Sequence, residues 1–141
     1  MISQKMQDAL NDQVAYEFYS AHIYLSMSAY LASIDLPGFA NWMRVQYQEE
    51  VTHAEKIFDY VIERDGRAIL GKFDAPPTEW KSPLHAFEEA LAHERKVTAR
   101  FNGHMDLAIA EKLLEANGAR LIRPVRGAQG PALTVVFRAA R

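Results

Sequence analysis

Glu50 and His53 stand three residues apart in 46-QYQEEVTHAEK-56, at positions where a helical pattern calls for apolar side chains. Residues at that spacing share a helix face, so both can reach one ion. Glu17 lies between Val14 and Ala21 on another apolar stripe, with Tyr24 two turns further on. Glu94 lies between Leu91 and Thr98, near Phe101, on a third stripe. An ionised carboxylate withdrawn from water is costly unless paired, and three that converge repel one another. A cation of high charge density removes both problems. Mixed carboxylate and imidazole donors suit iron, manganese or zinc better than calcium, and the dominance of oxygen donors favours iron. A carboxylate placed like Glu50 can also bridge two ions. A single Glu-x-x-His is ordinary on a solvated helix; three carboxylates in phase on three helices carry the inference.

Three long helices must position these groups. The first runs over about residues 3–33, where Met6, Leu10, Val14, Phe18, Ala21, Leu25 and Ser28 recur at helical spacing behind a capping Ser3. The break 34-IDLPG-38 puts Pro37 at the first turn of a second helix, over about 37–65, with Gly66 as its terminator. Phe39, Trp42, Met43, Gln46, Glu50, His53, Ile57, Phe58 and Val61 share one side of it. So short a link makes the two helices antiparallel. The Gly- and Pro-rich stretch 66-GRAILGKFDAPPTEWKSP-83 is long enough to cross the length of a bundle. It therefore predicts a third helix, over about 83–117, parallel to the second, with Leu84, Phe87, Leu91, Glu94, Thr98, Phe101, Met105 and Ala108 on its inner face. The expected fold is an all-α helical bundle with one long crossover.

A chain of 141 residues that is 49% apolar fits one domain with a substantial core. It has no cysteine, which excludes disulfides, thiolate metal sites and cysteine nucleophiles. No apolar run approaches a membrane span, and the opening MISQKMQDAL lacks a signal-peptide layout, so the expectation is a cytoplasmic protein that does not engage membranes. A net charge of −2 makes no general case for nucleic acid. The charge is uneven, however. Residues 1–112 hold 11 basic and 17 acidic residues, a net of −6, whereas residues 113–141 hold five arginines and one acid, a net of +4. The last stretch, 118–141, also carries three glycines and two prolines, so it reads as an irregular basic tail following a helical domain at 1–117.

Glu17 with Tyr24, the block 49-EEVTHAEK-56, and Glu94 near 98-TARFNGHMDLAIAEK-112 closely resemble bacterial non-haem ferritin. The openings 15-AYEFYSAHIYLSMSAYL-31 and 39-FANWMRVQYQEEVTHAEK-56 support the same likeness, which covers about residues 1–112. The Glu and Glu-x-x-His arrangement is a general feature of ferritin-like di-iron proteins. The resemblance implies a ferroxidase centre. One iron would be held by Glu17, Glu50 and His53; Glu50 would bridge; Glu94 would hold the second iron. Tyr24 would assist as a hydrogen-bonding or redox-active neighbour, and Glu49 would be a ligand of an additional iron position. Fe(II) would be oxidised by O2 or H2O2 and stored as ferric mineral inside a homo-oligomeric shell. Haem is not expected, because the haem-binding relatives place a methionine where Val51 follows Glu50.

After Lys112 the sequence departs from that family. The fourth long helix, which would bring further ligands, is absent or replaced by the irregular tail, leaving an apolar stripe on the other three helices. Two readings follow. The first is a ferroxidase that binds, oxidises and stores iron. The second is an altered assembly module that binds at most one iron, turns over little, and buries its apolar helix faces against another subunit. His22, His85, His93 and His104 read as surface histidines, and Trp42 and Trp80 as packing anchors.

Overall fold

The computed structural model describes residues 2–110. The expected domain boundary after residue 117 and the basic tail at 118–141 lie outside the described residues. The chain divides into two units, residues 1–97 and 98–141.

Helix α1 spans Gln4–Ser33 without a glycine or proline. Its start is capped as expected: the Ser3 hydroxyl accepts the Met6 N–H at 3.1 Å. The helix stops at Ile34 because Asp35 turns left-handed, with φ 58°. The Leu36 N–H then bonds the Leu31 carbonyl at 3.0 Å and the Asp35 N–H bonds Ala32 at 3.2 Å, which satisfies the orphaned carbonyls of the last turn. Pro37 opens α2 directly, where its missing N–H costs nothing. Helix α2 spans Pro37–Glu63 and ends with the same device. Here the structure refines the sequence reading. Asp65, not Gly66, takes the left-handed conformation, with φ 57°. Gly66 is needed for a different reason: a Cβ there would stand 2.8 Å from the Val61 carbonyl oxygen.

Pairs along the two helices show that they run antiparallel. Ser28 donates to the Ala40 carbonyl at 2.8 Å near the turn, Glu17 meets Glu50 midway, and Gly66 approaches Gln7 at the far end. The crossover then returns along α1. Arg67 N–H bonds Gln7 Oε1 at 2.8 Å. Asn11 clamps the crossover twice, donating to the Arg67 carbonyl and accepting from the Ile69 N–H, both at 3.0 Å. Phe73 packs on His22 at 4.9 Å between rings, and Trp80 on Tyr30 at 5.3 Å. The segment thus crosses from one end of α1 to the other. Helix α3, Pro83–Ala110 to the last described residue, therefore starts beside the beginning of α2, and its part up to Val97 runs parallel to it. Ser82 caps it, its hydroxyl accepting the His85 N–H at 3.1 Å.

The core is built on Tyr24, Met27, Leu31 and Met43, with Val14 and Val61 toward the other end. Each fully buried side chain of this size contributes about 1.5–3 kcal/mol. Helix α3 faces this core with small residues, Ala86 and Ala90, and with His93 and Val97. Close approach through alanines turns two of the expected inner residues outward: Leu84 is 68% exposed and Leu91 is 54% exposed, whereas Phe87 still packs against the core. Trp42, expected as a packing anchor, lies half-exposed beside Phe87, whereas Trp80 is buried as expected. His93, expected at the surface, is buried.

Candidate metal centre

Glu17 sits at the middle of α1 and is fully buried. Glu50 sits at the middle of α2 and is buried beside it. One turn along α2, the His53 imidazole leans back toward Glu50, with Nδ1 3.4 Å from Oε2. Ligand atoms from Glu17, Glu50 and His53 all lie within 4.8 Å of one another. The His53 side chain is 47% exposed, so the cluster has two buried oxygen donors and an imidazole at its open rim. Sequence spacing brought the last two together; antiparallel packing of α1 on α2 brings in the first.

The electrostatics are those of a site that favours a cation. Burial, and next the neighbouring Glu50 carboxylate, push the Glu17 carboxyl from the ordinary 4.5 up to about 9. Burial acts on Glu50 in the same sense, but its contact with His53 and then with Glu17 outweighs burial and holds its pKa low. The same Glu50 contact raises the His53 imidazole. At neutral pH Glu17 therefore carries a proton beside an ionised Glu50. One Glu17 oxygen is held, accepting from the Gln13 amide at 2.6 Å. The other, Oε2, is buried and receives no hydrogen bond from a donor among the described residues, while the carboxyl shares its proton with Glu50. Two buried carboxyls sharing one proton are a costly pair that asks for an explanation. A divalent ion displacing the proton supplies one. Two carboxylates and an imidazole fit a first-row ion.

Tyr24 and Glu94 form a second pair next to the first. The Tyr24 hydroxyl, buried two turns along α1 from Glu17, donates to Glu94 Oε1 on α3. Burial, and next this hydrogen bond, raise the Tyr24 phenol far above its ordinary value. Burial raises Glu94 as well. Glu94 thus stays apart from the tight three-residue cluster, although it feels the Glu50 charge. Glu49 is exposed on α2, and among the described residues it joins no three-ligand cluster. Sequence reasoning missed two buried residues here. Gln13 is one turn before Glu17 on the same face, a signal that was available. His93 belongs to the stripe Ala86, Ala90, His93, Val97, which the larger leucines obscured.

The sequence matches the Ferritin-like domain family over residues 7–115. The chain belongs to that family. A bacterial non-heme ferritin of Bacteroides fragilis is 46% identical over 112 residues, 79% of this chain and 70% of the relative. One from Staphylococcus saprophyticus is 42% identical over the same length. Among solved structures, an open-pore ferritin from the archaeon Archaeoglobus fulgidus aligns with a TM-score of 0.80 and 52% identity, over 82% of this chain and 71% of that one. The ferritin-like fold and the family resemblance read from the sequence both hold.

The ferritin-like bundle also carries an open, mostly apolar groove of about 520 Å³, lined by Asp35, Leu36, Pro37, Phe39, Trp42 and Phe87. None of these belongs to the Glu17, Glu50 and His53 cluster. No helix among the described residues is long and apolar enough to cross a membrane.

Proposed function

We propose that this ferritin-like chain binds Fe(II) through Glu17, Glu50, His53 and Glu94, oxidises it to Fe(III), and serves iron storage as a homo-oligomer. The observation that carries this reading is the convergence of Glu17, Glu50 and His53 within 4.8 Å, with both carboxyls buried. Fe(II) is the substrate. It enters past the half-exposed His53 and displaces the Glu17 proton. Anionic oxygen donors stabilise Fe(III) over Fe(II), which lowers the cost of oxidation. In this reading Glu50 bridges to a second iron held by Glu94. Two irons together supply the two electrons that take O2 to H2O2, with two protons from solvent. Tyr24 holds Glu94 through its hydroxyl and keeps a proton at hand. Glu49, exposed at the rim, is assigned to an additional iron position.

The test is anaerobic Fe(II) titration followed by rapid mixing with oxygen. Two irons per subunit and fast growth of ferric absorbance support the ferroxidase. A second reading, the assembly module, is favoured by the half-exposed Phe39 and Trp42 and by the exposed Leu84 and Leu91. It predicts one iron or none and only background oxidation in the same experiment. Light scattering on that sample reads the assembly.

A further inference from the structure

The buried imidazole of His93 is surrounded by tyrosine rings. Tyr16 stacks on it at 5.5 Å between centroids and 15° between planes. Tyr19 meets it edge-on at 6.2 Å, and Tyr24 edge-on at 6.4 Å. Tyr16 and Tyr19 are themselves 6.3 Å apart. Stacked and edge-to-face pairs at these separations are favourable in themselves, but packing alone does not call for an imidazole at the centre of three phenols. Ser20 fixes the ring: its hydroxyl donates to the Tyr16 carbonyl at 3.0 Å and lies 2.7 Å from His93 Nε2. With the hydroxyl proton committed to Tyr16, Nε2 carries the proton of that contact. The cluster runs in one direction. Tyr24 is buried and bonded to Glu94. Tyr16 and Tyr19 are half-buried, and Tyr19 reaches Phe73 on the crossover at 6.4 Å.

We propose that Tyr24, His93, Tyr16 and Tyr19 form a one-electron relay that carries oxidising equivalents from the iron site to the outer face of α1. The relay rests on the ferroxidase reading above. It matters when peroxide meets a site holding a single Fe(II), which can give only one of the two electrons required. Fe(II) supplies the first, becoming Fe(III). Tyr24 supplies the second, its phenol passing a proton to Glu94. Peroxide takes both electrons and two protons from solvent and leaves as two waters. The Tyr24 phenoxyl then takes an electron across the His93 ring from Tyr16 or Tyr19 and recovers its proton from Glu94. The donor phenol releases its own proton to solvent. The oxidising equivalent ends at the rim, where a solution reductant can quench it, and not among the ligands.

The test uses the full-length protein loaded anaerobically with one Fe(II) per subunit, mixed with one equivalent of H2O2 and freeze-quenched for electron paramagnetic resonance. The wild type is expected to show a first tyrosyl pattern that gives way to a second. Tyr16→Phe/Tyr19→Phe should keep the first pattern throughout and lengthen its life severalfold, and Tyr19→Phe alone should do so in part. Tyr24→Phe should cut the early radical at least tenfold. A double variant with wild-type pattern and lifetime, together with normal ferric absorbance, overturns the relay alone. Absent ferric growth at two Fe(II) per subunit with O2 overturns the ferroxidase reading and the relay with it.

Discussion

Replacing Glu17 with glutamine should stabilise the metal-free protein at neutral pH while abolishing its hold on metal. Burial raises the folded carboxyl from 4.5 to about 9. Between those values the folded protein keeps a proton that the unfolded chain has released, so stability falls as pH rises across the window. Below 4.5 both states are protonated and the group costs nothing; above about 9 the cost is complete. From 4.5 to pH 7 is two and a half units, so the carboxyl costs about 3 kcal/mol at neutral pH. Glutamine keeps the shape, can still accept from Gln13, and has no proton to lose. Urea unfolding in chelator should therefore show Glu17→Gln ahead by up to about 3 kcal/mol at pH 7 and by under about 1 kcal/mol at pH 5. Zn(II) should then reverse the order at pH 7, because only the wild type can release a proton to the ion and gain its binding energy. An advantage equal at both pH values, or none at pH 7, would refute the assignment of a buried proton to Glu17.

Further outcomes follow from single residues. His53→Ala removes the imidazole donor and should weaken Zn(II) or Fe(II) binding on the order of 100-fold or more in anaerobic calorimetry, since even partners behind a ligand are worth 10–100-fold. Tyr24→Phe leaves the three-residue cluster intact, so Fe(II) affinity should stay within about twofold while oxidation in stopped-flow slows roughly tenfold, about 1.4 kcal/mol in barrier. Gly66→Ala would push a methyl against the Val61 carbonyl and should lower stability by about 1–3 kcal/mol, read by thermal unfolding.

Much of the bundle was legible because its signals are local. Helix α1 has thirty residues without a breaker, and Pro37 and Ser82 mark the next two starts. The crossover could be read from its length and composition, since the nineteen residues between Glu63 and Pro83 cannot be a tight turn. Glu50 and His53 were legible as a pair because one helix sets their spacing. What escaped was the rotation of α3. Leu84 and Leu91 outweigh Ala86 and Ala90 in any hydrophobicity pattern, yet small residues permit the closest approach and so fill the interface. That rotation buries His93 and brings it among the tyrosines. The exchange of roles between Asp65 and Gly66 escaped for a similar reason: a left-handed turn and a steric contact both favour glycine, and sequence does not separate them.

The most direct test of the central claim is anomalous diffraction at the iron edge from crystals soaked anaerobically in Fe(II). The account predicts a peak within coordination distance of Glu17, Glu50 and His53, lost in Glu17→Gln. A protein that binds iron elsewhere, with no peak between those three side chains, would contradict it.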